Sequence, residues 1–163
     1  MKINGTFVEP PHAHVTHLSP DRAKLAAMLE QNKALAKRWF EEVWNRKEEE
    51  AIDRLFHSQG KCHGLPFPDS VLVGPEQFKE VHRNFCGAFP DLQIEVEDLI
   101  AEDNRVAVRW KCTMTHTGDH LGFPASGKKV VLTGSSMIVA NGEQIEEGWN
   151  HMDLGALFAS LKA

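Results

Sequence analysis

The chain has 163 residues, of which 42% are hydrophobic and 25% charged, and this length and composition fit one globular domain with a sizeable core. Its formal net charge is −5, whereas a protein that tracks nucleic-acid phosphates would ordinarily show a basic excess, so we expect no nucleic-acid partner. No apolar run approaches the length of a membrane span and the first residues lack a signal-peptide pattern, so we expect a cytoplasmic protein without a membrane partner.

The N-terminal part of the chain divides into an arm and the start of a helix. Residues 1–19 contain Pro10 and Pro11 and show no apolar period, which predicts an arm preceding a single domain at 20–163. Ser19 followed by Pro20 predicts the start of a long helix that runs to about Asn45, with the serine as its cap.

Two more helices and then a series of strands are predicted. Helices are expected at 48–56 and from Gly74 onward. From Leu92 the apolar period changes to two, which predicts that a first strand begins there. Three more strands are predicted at 105–117, 129–140 and 144–152, followed by a short final helix. This order predicts an α+β fold in which a curved antiparallel sheet is wrapped by the N-terminal helices around a pocket.

The last two strands predict which side chains share a face. A two-residue turn at Asn141-Gly142 would place Asn150 opposite Thr133. If Asn150 faces the pocket, then Thr133 and Ser135 line it as well, unless a bulge shifts the register.

A succession of short segments resembles one known family. The segments are AFPDL at 88–92, EDLIAE at 97–102, RVAVRW at 105–110, THTG at 115–118, LGFP at 121–124 and EGWN at 147–150. In their order and spacing over about residues 32–161 they resemble the SnoaL-like polyketide cyclases, also called ester cyclases. The resemblance implies the cone-shaped fold of nuclear transport factor 2 and the ketosteroid isomerases, usually dimeric.

The resemblance also implies a chemistry. Members of that family close rings by an intramolecular aldol reaction without metal or organic cofactor, with an aspartate after a tryptophan as acid/base. Here Asn150 follows Trp149, and an amide cannot act as a general base near neutral pH. A cofactor-independent enzyme acting on a hydrophobic oxygenated small molecule, by aldol cyclisation, isomerisation or dehydration, is the leading interpretation. A non-catalytic small-molecule-binding protein is the alternative.

Four residues are candidates for the catalytic groups: His116, Asn150, Asp153 and His63. Three of them have a structural alternative: Asn150 can satisfy neighbouring groups in the sheet, Asp153 can cap the last helix, and His116, on the apolar strand face, can be a core histidine. His63 resembles a histidine that family members often carry after the second helix, so it is expected to point into the same pocket from the far side. His151 is expected to face away from the pocket if Asn150 faces in.

Five residues are predicted to bind substrate: Trp39, Phe85, Trp110, Thr133 and Ser135. Of these, the aromatic residues have a simple core role as the alternative. Two acidic or histidine groups converging on one cavity would favour the enzyme, and an apolar cavity without a titratable group would favour the binding protein. His116→Ala is expected to impair turnover or ligand binding more than His151→Ala while leaving the fold intact.

No metal site and no cofactor are predicted. His12, His14 and His17 form a cluster, but a proline-flanked arm lacks the rigid geometry that a metal site needs. The three cysteines, Cys62 among them, are too scattered for a disulfide framework or a zinc module and are interpreted as core residues.

A homodimer is predicted from the apolar residues assigned to the strand face opposite Asn150. These residues are Leu132, Ile138, Ile145 and Trp149.

Overall fold

A computed structural model describes residues 19–162 of the chain. Residues 1–18 of the predicted N-terminal arm, with its three histidines, therefore lie outside the described residues. The helices are α1 (Pro20–Arg38), which continues as a π-helical segment (Trp39–Asn45), α2 (Glu49–Leu55), α3 (Gly74–Ala88) and α4 (Leu154–Lys162). The strands are β1 (Phe56–His63), β2 (Val71–Val73), β3 (Gln93–Glu102), β4 (Arg105–Thr115), β5 (Lys129–Ala140) and β6 (Ile145–Met152).

The six strands form one curved sheet in the order β2-β1-β6-β5-β4-β3. All neighbours pair antiparallel except β1 and β6, which run parallel, so the predicted α+β class is confirmed while the sheet is mixed rather than wholly antiparallel. Strands β1 and β2, which precede α3, were not predicted. The β1 sequence FHSQGKCH has few apolar residues to alternate with polar ones, so the period-2 signal is weak.

The first helix is anchored at its C-terminal half. The predicted cap is confirmed, since the Ser19 hydroxyl accepts a hydrogen bond of 3.4 Å from the backbone N–H of Arg22. The first turns of α1 are exposed, and burial starts at Asn32 and continues through Leu35 into the π-helical segment. This segment and α3 lie against the concave face of the sheet and supply most of the aromatic core.

The hairpin of β5 and β6 has a different register from the predicted one. A longer turn separates the strands, with Ala140 opposite Ile145, and a bulge follows between Val139 and Ala140. Asn150 consequently lies opposite Ser136, not Thr133. The partner of Asn150 is thus displaced by three residues. Because neighbouring residues of a strand point to opposite faces, a displacement by an odd number moves the predicted pocket residues of β5, Thr133 and Ser135, to the other side of the sheet.

No helix among residues 19–162 combines the length and the apolar character needed to cross a membrane.

Candidate functional site

A cavity of about 80 Å³ lies between the concave face of the sheet, the π-helical segment and α3, and we call it the inner cavity. Three of the predicted substrate-binding residues, Trp39, Phe85 and Trp110, lie in its wall. Most of the other wall residues are also apolar, because the inner faces of β4 and β5 carry the buried side chains of both strands.

A chain of hydrogen bonds crosses this apolar wall. The indole Nε1 of Trp110 donates to Ser136 Oγ at 3.1 Å, and that hydroxyl donates to Asn150 Oδ1 at 2.9 Å. Asn150 Nδ2 donates to the backbone carbonyl of His63 at 3.1 Å and to Cys62 Sγ at 3.3 Å. Sulfur is a weak acceptor, so the N–H that points to Cys62 is the least engaged donor of the network.

The two thiols of the inner cavity are protonated at neutral pH. Burial raises the pKa of Cys62 to about 12, although its contact with the Asn150 amide opposes the shift. Burial likewise raises the pKa of Cys112 to about 12. A thiolate is the nucleophilic form of cysteine, so neither residue is an activated nucleophile here.

The wall of the inner cavity contains no Asp, Glu, His, Lys or Arg among the described residues. Its polar atoms are neutral hydroxyl, amide, indole and thiol groups. Such a wall can hold an apolar molecule and donate hydrogen bonds to its oxygens, but it offers no side chain with the pKa of a general base.

His116 is fully buried outside the inner cavity wall, where it holds a loop in place. Its Nδ1 accepts a hydrogen bond of 3.0 Å from the backbone N–H of Ser126, and its backbone binds Lys128 and Gly127. The ring packs against Phe89 and Phe123, and its Nε2 has no partner. The strand pattern therefore placed His116 on the correct face, but beyond the end of the cavity.

His63 points away from the inner cavity, contrary to the expectation that it faces the pocket. Its Nε2 lies 2.8 Å from Glu147 Oε1, and its ring stacks on Trp149 with the centroids 5.1 Å apart. The reason is strand alternation: Cys62, the preceding residue, faces the cavity, so His63 takes the outer face of the sheet. Only the backbone carbonyl of His63 reaches the network.

Asp153 is exposed and caps α4, with its Oδ1 accepting a hydrogen bond of 2.8 Å from the N–H of Ala156. His151 is exposed on the outer face, as expected. Thr133 and Ser135 are also exposed there, outside both the inner cavity and its hydrogen-bond chain. Their predicted place in the pocket was wrong because of the changed hairpin register.

Ser136 is the residue of the candidate site that the sequence interpretation missed. A signal for it was present in Gly134, which pairs with Trp110. A Cβ at position 134 would lie 2.4 Å from the Trp110 ring, so a glycine is required where the indole crosses the inner face. This puts Gly134 and, two residues later, Ser136 on the same side as Trp110.

The same hairpin displacement changes the predicted dimer surface. Leu132, Ile138 and Ile145 line the inner cavity, and only Trp149 of that set lies on the outer face. Among residues 19–162, no group of three His, Cys, Asp or Glu side chains has an arrangement that could hold a metal ion.

Comparisons with solved structures identify the fold. A candidate SnoaL-like polyketide cyclase from Jannaschia sp. CCS1 superposes with a TM-score of 0.75 at 22% identity, covering 91% of this chain and 98% of that one. AclR, a candidate hydroxylase from Streptomyces galilaeus, gives a TM-score of 0.70 at 25% identity, with 82% of each chain covered. A Catenulispora acidiphila protein with a ketosteroid isomerase-like fold gives 0.64 at 12% identity, over 78% of this chain and 92% of that one.

No curated protein matches the sequence. The family model described as SnoaL-like polyketide cyclase matches residues 34–161, which include every wall element of the inner cavity. The chain belongs to the SnoaL-like polyketide cyclase family.

Proposed function

We propose that the protein binds a largely apolar, oxygen-bearing small molecule in the inner cavity. The observation that carries the proposal is the wall itself, which is apolar and uncharged except for one chain of neutral hydrogen-bonding groups from Trp110 to Asn150. Apolar walls supply the driving force for binding, and a few fixed polar groups supply orientation.

We assign to the Asn150 amide the hydrogen bond that the ligand oxygen would accept. Its Nδ2 already donates one N–H to the carbonyl of His63, which fixes the amide plane, while the second N–H meets only Cys62 Sγ at 3.3 Å. A ketone or ester oxygen is a better acceptor than a thiol, so a ligand carbonyl would take this second N–H.

The binding test uses acetophenone and ethylbenzene, which have similar shapes and differ in the carbonyl oxygen. Titration followed by the fluorescence of the tryptophans in the wall is expected to show about tenfold tighter binding of acetophenone, as for one additional neutral hydrogen bond. Equal affinities for the two probes would contradict the role of Asn150.

Gly148→Leu is the blocking variant. Gly148 lines the inner cavity, and a Cβ there would have its nearest contact at 3.8 Å from the backbone oxygen of Met137. A Cβ is therefore accommodated, and the rest of a leucine side chain would extend into the cavity. We expect the variant to fold and to bind neither probe. Binding that is unchanged in Gly148→Leu would place the ligand elsewhere and overturn the proposal.

A second candidate function is a cyclase-like reaction on the bound molecule, by aldol cyclisation, isomerisation or dehydration. Membership of the SnoaL-like family favours it, and Asn150 stands where the resembling enzymes carry an acid/base aspartate. All three reactions begin by removing a proton next to a carbonyl. Neutral donors such as the Asn150 amide can stabilise the resulting enolate, but the base has to come from outside the described wall.

Proton exchange separates the two candidates. In D₂O, an enzyme that forms enolates exchanges the methyl protons of acetophenone faster than buffer does, and NMR follows the loss of their signal. A pure binding protein leaves the buffer rate unchanged. Acceleration that disappears in Gly148→Leu would establish the enzyme, and no acceleration at saturating protein would favour the binding protein.

We also propose that the outer face of the sheet mediates homodimerisation. One row of paired residues crosses it, with one residue from each strand: Val71, His63, Trp149, Met137, Ala107 and Ile100. Of these, Val71, Met137 and Ile100 are 48%, 37% and 67% exposed, which is more apolar exposure along one line than a solvated sheet face usually carries.

A further inference from the structure

A second and larger cavity, the outer cavity, lies at the end of the cone next to α4. It measures about 390 Å³ and is bounded by Phe67, by α3 at Asn84 and Phe85, by the loop residue Phe123, and by α4 at Lys162. Sites for small organic ligands usually measure roughly 300–1,000 Å³. The outer cavity falls in that range, whereas the inner cavity, at about 80 Å³, has room for only part of such a molecule.

Phe85 separates the two cavities, since it is the residue that lines both of them. On the inner side it meets Trp44 with ring centroids 6.5 Å apart, and on the outer side it meets Phe158 at the same distance. Aromatic pairs pack at about 4.5–7 Å, so both contacts are at the loose end. Phe85 is therefore the side chain that a ligand reaching from one cavity to the other would have to displace.

The outer cavity is preformed because its loop is fastened at several points. The N–H groups of Thr117 and Gly118 both donate to the carbonyl of Ala88 at 3.1 Å. His116 binds Ser126 through its ring, as described above. The loop therefore presents Phe123 as a fixed wall rather than as a surface that a ligand must first order.

The charge in this wall is positive. The Lys162 ammonium lies 4.9 Å from the centre of the Phe123 ring, an arrangement that holds the cation at the cavity rim. The described wall contains no carboxylate. His120 also lines it, with Asp119 Oδ1 3.8 Å from its Nδ1, and Lys162 is the lysine in the described wall.

We infer that the outer cavity binds the anionic end of an amphiphilic carboxylate, held by Lys162, whose apolar chain passes Phe85 into the inner cavity. Binding of the anionic end is inferred from the wall of the outer cavity and from Lys162 alone. Binding of the apolar chain in the inner cavity rests on the proposed function. The ligand class is thereby narrowed from any apolar oxygenated molecule to one with an acidic end.

The test compares decanoate with decanol, which share a chain length and differ in charge, by isothermal titration calorimetry on the parent protein. We expect decanoate to bind about tenfold more tightly, as for one charge-assisted hydrogen bond. Lys162→Met is expected to remove this preference without changing the affinity for decanol, and Lys162→Arg to retain it.

Lys128→Met is the matched control, because the Lys128 ammonium is bonded to the carbonyl of Ser160 at 2.7 Å and does not line the cavity. It removes the same net charge and should leave the preference intact. Equal loss in Lys128→Met and Lys162→Met, or a preference that survives Lys162→Met, would overturn the inference.

Gly148→Leu separates this inference from the proposed function. With the inner cavity filled, hexanoate, which is short enough for the outer cavity, should bind as it does to the parent, and decanoate should bind more weakly. If acetophenone fails to bind the parent but the Lys162-dependent preference for hexanoate over hexanol holds, only the proposed function is contradicted. If acetophenone binds and no acid preference exists, only this inference is contradicted.

Discussion

The Ser136 hydroxyl donates a hydrogen bond of 2.9 Å to the amide oxygen of Asn150 and at the same time accepts one from the indole of Trp110. One small side chain thereby satisfies two larger ones in an otherwise apolar wall. Trp110 is 4% exposed and Ser136 5%, so neither partner has water as a ready substitute.

Ser136→Ala should therefore destabilise the protein. It leaves the Trp110 N–H without an acceptor and the Asn150 oxygen without a donor, and one such buried loss costs about 2 kcal/mol in the free energy of unfolding. Urea denaturation measures it. Ser135→Ala, one residue away on the exposed outer face, is the control and should change this free energy by less than about 0.5 kcal/mol. Equal effects of the two substitutions would contradict the assigned register.

Asn150→Asp should make stability depend on pH. A protonated aspartic acid can donate to the His63 carbonyl and accept from Ser136, as the amide does, whereas the ionised form would face that carbonyl with a lone pair. Burial and this contact both raise the pKa of the new carboxyl group above its unfolded value of about 3.9. The folded variant then binds the extra proton.

The sign of the dependence follows from linkage. The stability of Asn150→Asp should match that of the parent below about pH 4 and fall behind as pH rises through the raised pKa. Thermal unfolding of both proteins between pH 4 and pH 8 measures the difference. A variant that gains stability relative to the parent with rising pH would contradict the buried, carbonyl-facing position.

His116→Ala should destabilise the fold far more than His151→Ala. His116 is fully buried and its ring accepts the Ser126 N–H, so its loss leaves a cavity and an unpaired donor, at a cost of about 2–4 kcal/mol. His151 is exposed, and its loss should stay within about 0.5 kcal/mol. The midpoints of thermal unfolding of the two variants and the parent measure these differences. A stable His116→Ala protein that has lost ligand binding would instead support a direct role at the site.

His82 should contribute to acid sensitivity. It is buried, donates through Nε2 to the carbonyl of Val43 at 2.7 Å, and has no partner for Nδ1, so burial lowers its pKa. The unfolded chain then binds the proton more readily, and stability is lost as pH falls below about 6.5. Uptake of one proton can change the free energy of unfolding by at most about 1.4 kcal/mol per pH unit. His82→Gln should reduce the slope measured by urea denaturation at pH 5–7, and His151→Gln should not.

The outer-face row predicts how self-association can be broken. The double substitution Ile100→Lys and Met137→Lys places two charges on the row, and sedimentation at micromolar concentration should show a monomer where the parent shows a dimer. Leu25→Lys, at a residue 45% exposed on α1, is the control and should leave the dimer intact. A monomeric parent, or a dimer in the double variant, would contradict this interface.

The sequence by itself determined the family, the α+β class and the face of β4 that carries Trp110 and Met114. Those depend on local periods and on a succession of motifs, and both are readable without knowing which strands pair. It did not determine β1, because few of its residues alternate and its neighbour β6 is distant along the chain.

Tertiary structure alone decided which polar groups meet in the site. A longer turn and one bulge between Val139 and Ala140 place Ser136 rather than Thr133 opposite Asn150, and every odd shift of register exchanges the two faces of a strand. Parallel pairing with β6 likewise turned Cys62 inward and His63 outward. The set of polar groups that line the inner cavity thus depends on register and strand pairing, which no local period of the sequence encodes.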